Sequence, residues 1–412
     1  MSDGPLSDVR VLDLTRLLPG GFCSLLLADF GADVVKVEDT GMGDYVRWAP
    51  PYYGSEEQQA LGTRSALYLA LNRGKRSIRL DLKSERGRDA FRRLARYRDV
   101  VLESFRPGVL EKLGCGYMAL RDANPRLVYC AITGYGQTGP NTQRAGHDMN
   151  YLGLNGLLGL TGERDGRPIQ PAGQIADIGG GALMAAFAVM AALRERERSG
   201  QGQLVDVSMT DGSLTWLCMV AAQYLCDGVL PERGRGSLNG GIACYLPYEV
   251  ADGWVTCGAL EPKFWRNFCE GVARRDLIDK QFVAPDSEHG RAIAEVFKQR
   301  TRDEWKAFND EHDAMIEPIL DLDEALDSEL VREREMVVEM EQPELGPVRL
   351  LGLPIKLSRT AGDAARPAPA LGEHTEQVLA EAGFSEHEVA ALIDSGAAAG
   401  LNARVEPTRF LG

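Results

Sequence analysis

His147 and Asp177 are the two residues whose type and surroundings best suit acid–base or nucleophilic chemistry. They stand in Ala145–Gly181, AGHDMNYLGLNGLLGLTGERDGRPIQPAGQIADIGGG, which carries ten glycines and runs into the apolar segment Ala182–Leu193. The chain has 5 histidines, and the other four, His289, His312, His374 and His387, lie in its last third amid polar, helix-like sequence. Gly146 and Asp148 flank His147, which predicts a tight turn where a backbone or ligand comes close. Asp177 stands just before Gly179-Gly180-Gly181 and a helical pattern, which predicts a carboxylate near a helix N-terminus. An ordinary N-cap is the plainer reading of that position. The glycines weaken it, because they lower helix propensity in the very turn a cap would strengthen. They fit a helix start against which something lies closely, such as a ligand carbonyl.

The elements that must hold these residues alternate strand and helix. Val9–Leu14, Ala32–Glu38, Ser77–Leu82, Asp99–Glu103, Leu127–Thr133 and Gln203–Met209 read as strands. Helical patterns begin at Pro19, Ser84, Gly181 and Asp211, so the expected core is a parallel sheet in an α/β domain. Arg106 follows the strand Asp99–Glu103 at its C-terminal edge, where open α/β sheets bind ligands. Asn72-Arg73-Gly74-Lys75-Arg76 is either a solvated loop or an anion site, since three cations within four residues suit phosphate. Gly41–Leu71, rich in Tyr, Pro and Gly, reads as a long surface excursion. Gly134-Tyr135-Gly136-Gln137-Thr138-Gly139 matches GxGxxG but runs into Pro140 rather than a helix, so no dinucleotide site is expected. Tyr245–Val250 and Trp254–Ala259 around Ala251-Asp252-Gly253 predict a hairpin. Core packing is the expected use of Leu214–Met219. Helical, charged sequence is expected to about Glu341, Val348–Leu357 is strand-like, and one final helix closes the chain. The expected division is a large α/β domain over 1–227, a small α+β domain over 228–341, and a return to the large domain over 342–412.

Composition bounds the function. Of 412 residues, 46 are Lys or Arg and 60 Asp or Glu, a net charge of -14 that argues against nucleic acid as the partner. The 8 cysteines are scattered without a CxxC pair, which fits a reduced, cytoplasmic chain without a zinc site. The start MSDGPLSDVR has no basic stretch before an apolar core. Ala182–Leu193 is too short to cross a bilayer, so no membrane span is expected.

Several segments together resemble the class III CoA-transferase and α-methylacyl-CoA racemase family, closest to its racemase-like branch. They are LSDVRVLDLTRLLPGGFCSLLLADFGADVVKVE, NRGKRSIRLDLK, ESFRPGVLEKLG, ITGYGQTGP, AGHDMNY, ADIGGG and GALEPKFW, in order from Leu6 to Trp265. DAMIEPILDLDEAL and LGEHTEQVLAEAGFS extend the match. The resemblance implies a Rossmann-like large domain with a smaller one, an interlocked homodimer, and an acyl-CoA substrate. It places CoA against Leu80, Asp81, Leu82 and Lys83, against Ser104, Phe105 and Arg106, and against Gly146, Asp148, Met149, Asn150 and Tyr151. Racemase relatives can carry arginine where this chain has Asp39.

The family runs two chemistries, and Asp177 matches its carboxylate in both. In transferases that Asp attacks the acyl thioester and then carries CoA as an aspartyl thioester. In racemases it shares α-proton transfer with the His of the GHD motif, here His147, and a small-domain Glu, matched by Glu261, lies near that His. Inverting a stereocentre beside a thioester needs a base on one face and an acid on the other, which gives both residues work. Glu261 could fix the tautomer of His147. No metal or redox cofactor is required, and CoA is part of the substrate. The racemase reading leads because His147 has a role in it. The transferase reading follows closely, since Gly41–Leu71 and NRGKRS look more like that branch. A non-catalytic acyl-CoA-binding protein would keep Arg106 and the fold but not the set His147, Asp177 and Glu261.

Overall fold

Short apolar runs such as Val11-Leu12 can be buried only as strands covered on both faces, and the sheet is built from them. The computed structural model describes residues 4–54, 62–403 and 405. Its strands are β1 (Arg10–Asp13), β2 (Asp33–Glu38), β3 (Arg76–Leu80), β4 (Val100–Glu103), β5 (Val128–Thr133), β6 (Leu204–Ser208), β7 (Tyr245–Val250), β8 (Gly253–Gly258), β9 (Ile316–Pro318), β10 (Val337–Gln342), β11 (Gly346–Leu351) and β12 (Ala398–Ala399). One sheet has the order β12-β3-β2-β1-β4-β5-β6. Its six leading strands run parallel, and β12 closes the β3 edge antiparallel. This is a doubly wound, Rossmann-like order, as the family resemblance implies, with the switch point between β1 and β4.

The chain forms two compact units. The first is Met1–Leu152, Gln174–Thr215 and Glu329–Gly412, and the second is Gly153–Gly173 with Trp216–Ser328. The sequence expectation put the breaks at 228 and 341 and gave 153–173 to the large domain. The later break moves because Val337–Gln342 (VVEMEQ) is a strand, not helix, and pairs with β11 along its length. That hairpin buries Met340, Val348 and Leu350 with Val46, Tyr68 and Leu69 in the first unit. Gly41–Leu71 is accordingly no surface excursion, for Val46, Trp48 and Ala49 are buried as well; its residues 55–61 lie outside the described set. The final helix is two, Thr375–Glu381 and Glu386–Asp394. The second unit packs the hairpin β7–β8 and β9 with three helices around Trp265, Phe268, Phe297 and Trp305. Leu214, Trp216 and Met219 are exposed rather than in a core.

The first unit buries many charges, and almost all are paired. Lys36 donates to Asp44 at 2.8 Å and to the Thr15 carbonyl at 3.0 Å, Lys75 faces Asp13, and Arg73 grips Asp29 through two bonds. Arg76 spans Asp33 and Glu381. The basic cluster Arg73–Arg76 is therefore no anion site: its cations are consumed by carboxylates of the fold. Glu38 takes Arg47 in a bidentate pair at 2.8 and 2.7 Å, and Arg47 also donates to the Pro369 carbonyl. Tyr68 donates to the same carbonyl.

The continuous helix Ile175–Ser199 has 25 residues and a window of mean hydropathy 1.8, long and apolar enough by length and composition to cross a membrane. The apolar run expected from the sequence is shorter because it starts after the glycines. Those glycines pack inside the first unit, as a core helix requires.

Burial alone would raise the Glu38 carboxyl, but Arg47 outweighs it and holds the group at about 2. Its stabilisation is complete above the ordinary value of 4.5 and is lost as pH falls toward 2. Arg47→Ala leaves a buried carboxylate without its guanidinium and should cost about 3–5 kcal/mol at pH 7. Chemical unfolding at pH 7 and pH 3 checks this, with the gap between parent and variant narrowing at the lower pH.

Candidate functional site

Loops leaving the C-terminal ends of β1, β4 and β5 converge at the switch point. After β1 the chain turns through Leu17, a non-glycine residue at φ 57, into the helix Leu17–Asp29. Asp44 faces the Leu17 N–H at 3.3 Å and caps the turn Tyr45–Trp48 at Val46. The buried Lys36–Asp44 pair thus fixes a left-handed residue at the cavity wall, where strain is a common mark of function. After β4, the Ser104 hydroxyl accepts from the Arg16 N–H at 3.3 Å and ties the two loops together. Between them lies a cavity of about 560 Å³, lined by Arg16, Leu17 and Tyr45, by Ser104–Pro107, by Thr142 and Arg144–His147, and by Asn150, Tyr151 and Asp177. That volume suits a small-molecule site.

His147 opens the helix Asp148–Leu154: its carbonyl accepts from Asn150 N–H at 2.8 Å, and its own N–H donates to the Asn150 side chain at 2.9 Å. The imidazole is exposed at the cavity. Tyr151 donates to the Gly146 carbonyl at 2.5 Å and stands edge-on to Tyr135. A Cβ on Gly146 would come within 2.7 Å of the Tyr151 ring, and one on Gly134 within 2.5 Å. Glycine beside His147 therefore serves close packing on a tyrosine.

Asp177 stands in the first turn of a wide π-helical stretch, Ile175–Leu183, a geometry that often marks functional positions. It is Asp148 that caps this stretch: its buried Oδ1 accepts from the N–H groups of Ala176 at 2.7 Å and Asp177 at 3.0 Å. Asp177 is left free to face the cavity, with burial first and the Asp148 charge second raising its carboxyl to about 7. The close partner predicted for the glycines is the chain itself. A Cβ on Gly180 would meet the Met209 carbonyl oxygen at 2.6 Å and the Ser213 nitrogen at 2.7 Å, and one on Gly212 would meet the Gly180 oxygen. No ligand need lie there.

The cavity gathers His147, Asp177, Ser104, Phe105, Arg106, Gly146, Asn150 and Tyr151 of the expected set. Leu80, Asp81, Leu82, Lys83, Asp148 and Met149 are not among its lining residues. Leu80 is buried in β3, Lys83 is exposed at the loop after it, and Asp148 faces the backbone of Ala176 and Asp177. Glu261 belongs to the second unit, as the exposed residue preceding the helix Pro262–Gly271. Sequence reasoning missed Arg16, Arg144 and Tyr45. The turn LTRLLPG after the first strand was the available signal for Arg16, at the same sheet edge as Arg106. Asp39 pairs with Arg16 at 3.0 Å, so an acid fills the position where arginine was expected in racemase relatives. The second unit holds a cavity of about 1070 Å³ bordered by Ile169, Leu246, Pro247 and Met315, without any of the acid–base candidates. Among the described residues no group of three or more His, Cys, Asp or Glu converges as for a metal ion.

The chain is similar to known proteins along most of its length. The sequence pattern of CoA-transferase family III matches residues 6–375. The α-methylacyl-CoA racemase of Mus musculus is 38% identical over 391 residues, covering 93% of this chain and 95% of that protein. The succinyl-CoA:mesaconate CoA-transferase of Haloarcula hispanica is 36% identical over 394 residues, covering 92% and 97%. The crystal structure of a CAIB/BAIF family protein from Brucella suis superposes with a TM-score of 0.80 at 32% identity, covering 92% of this chain and all of that one.

Asp148 supplies both the position and part of the proton affinity of Asp177, and two substitutions separate these. Asp148→Asn keeps an oxygen for both N–H groups but removes the charge, so the Asp177 midpoint should fall below 7 yet stay above the ordinary range, because burial remains. Asp148→Ala removes the acceptor and should cost about 1–2 kcal/mol of stability. Carbodiimide labelling of Asp177 across pH, read by mass spectrometry, and thermal unfolding check the two outcomes.

Proposed function

The chain belongs to CoA-transferase family III, and on that premise we propose that it racemises or epimerises 2-methylacyl-CoA thioesters through His147 and Asp177. One observation carries this reading. Asp177 holds its proton to about 7 and shares a cavity with an exposed imidazole. A general acid or base works best with its proton affinity near the working pH, whereas a nucleophilic carboxylate is better served by a low one. One of the pair takes the α-proton, the C–H electrons pass into the thioester carbonyl as an enolate, and the other returns a proton to the opposite face. Backbone N–H groups at the Gly146–Asp148 turn would steady the enolate oxygen. Glu261 is proposed to take part in the same proton transfer.

The CoA portion would meet the exposed cations Arg106 and Arg144, with Ser104, Phe105, Asn150 and Tyr151 shaping the entrance. Contacts to Lys83 and its neighbours in 80–83 are part of the same proposal, outside the cavity. A homodimer is proposed too. The helix Cys218–Asp227 has no buried residue although it is largely apolar, and Leu225 is 80% and Phe187 74% exposed. Such surface calls for a partner, and sedimentation at low micromolar concentration should give a dimer, a fully active monomer contradicting it.

The second reading is CoA transfer between carboxylic acids through an aspartyl-CoA thioester at Asp177. It is favoured by the transferase relatives, which match as much of the chain as the racemases do. Incubation with 2-methylacyl-CoA in D₂O separates the two. The parent should exchange the α-proton of both epimers and interconvert them. His147→Ala should keep exchange in one epimer and lose inversion by ~10²–10⁴-fold. Absence of exchange in the parent, with hydroxylamine trapping an acyl or thioester group at Asp177, would overturn the racemase.

A further inference from the structure

The chain leaves β4 at Glu103, and this acid, like Asp148, differs from Asp13, Asp29, Glu38 and Asp44, the buried carboxylates of the first unit that are ion-paired. It is 5% exposed, yet no cation lies within ion-pair distance of it among the described residues. Its Oε2 accepts one hydrogen bond, from the Phe105 N–H at 2.7 Å. The titratable groups facing it are Glu111 from the helix Val109–Lys112, and Tyr129 and Cys130 from β5. The Tyr129 hydroxyl is buried without a hydrogen-bond partner among the described residues. Arg106, on the loop after β4, and Arg16, on the loop after β1, are exposed and line the cavity.

A buried backbone N–H needs an acceptor, and at Phe105 the strand has ended. Glu103 supplies one two residues upstream, so the side chain sets the direction in which the loop departs. Beyond it the turn is closed by Val109 N–H on the Arg106 carbonyl at 3.1 Å and by Gly108 at φ 87. Phe105 packs partly into the core. Arg106, between these fixed points, is thereby aimed at the cavity.

We propose that Glu103 is a positioning residue which, through its bond to the Phe105 N–H, orients the Ser104–Arg106 loop and so sets the affinity for the phosphate-bearing CoA portion of the substrate. This rests on the reading of the cavity as a CoA-thioester site. Burial first, with Glu111 adding to it against the Phe105 bond, raises the Glu103 carboxyl to about 8. Near neutral pH the loop therefore carries no negative charge behind Arg106. Above 8 it gains one, which opposes a polyanion.

Calorimetric titration of free CoA into the full-length protein from pH 6.5 to 9 tests this. The parent should bind more weakly as pH rises through 8, and Glu103→Gln, which keeps an acceptor and stays neutral, should match the parent at pH 7 but lose that pH dependence. Glu103→Ala should raise Kd ~10-fold, the worth of one lost hydrogen bond. An unchanged Kd in Glu103→Ala overturns the proposal, as does a pH dependence that persists in Glu103→Gln; the glutamine comparison decides the matter if the alanine variant does not fold. Arg106→Ala separates this from the wider reading. Undiminished CoA binding there removes the phosphate site itself, whereas loss of binding there with no effect at Glu103 removes only the positioning role.

Discussion

The site depends first on one carboxylate: the grip of Asp148 on the N–H groups of Ala176 and Asp177. Between Leu152 and Gln174 the chain leaves the first unit for the second. Asp148 and Asp177 stand on either side of that excursion, so this bond pair defines where the chain comes back. A helix start offers unsatisfied N–H groups, and filling them from another segment places Asp177 without using its own side chain. The same charge then helps keep a proton on Asp177. Position and reactivity thus come from one group, with the Gly180–Gly212 contact locking the helix from its other side.

Beneath the cavity the sheet carries a layer of paired charges. Lys36 with Asp44, and Lys75 with Asp13, stand under the loop Thr15–Leu17. Asp13 accepts from the Thr15 N–H and hydroxyl and from Ser24. Burying these charges is expensive, and once paired they tolerate little movement. A loop that must hold a left-handed leucine gains its rigidity there. Arg106, by contrast, sits exposed at the cavity, and Arg16 beside it is paired only with the half-exposed Asp39.

The parallel sheet was legible in the sequence because each strand is a short apolar run followed by a helical period, and Arg106 could be placed at its ligand-binding edge from spacing alone. The pairing of His147 with Asp177 in one cavity was legible as motif, not as distance. What local reading missed is long-range. Nothing near Arg73 or Arg76 says that Asp29, Asp33 and Glu381 wait for them, so three cations looked like a phosphate site. Gly180 looked like room for a ligand because its neighbour, Gly212, lies some thirty positions on. The β10–β11 hairpin was masked by its glutamates, which face outward from a strand whose Met340 is buried.

The return of the chain to its first unit also governs how that unit comes into being. Arg47 and Tyr68 both end on the Pro369 carbonyl, and β3 receives its outer neighbour only from Ala398–Ala399. The separation between Arg47 and Pro369 is 322 residues, a delay on the order of 20–60 s at ordinary rates of chain growth. Through that interval the nascent sheet carries an open edge at β3, the kind of edge that recruits foreign strands. The second unit draws on no residue beyond Ser328 and is complete well before then. Emergence from the ribosome therefore finishes the smaller unit first, and the strand that seals β3 is the last of those described.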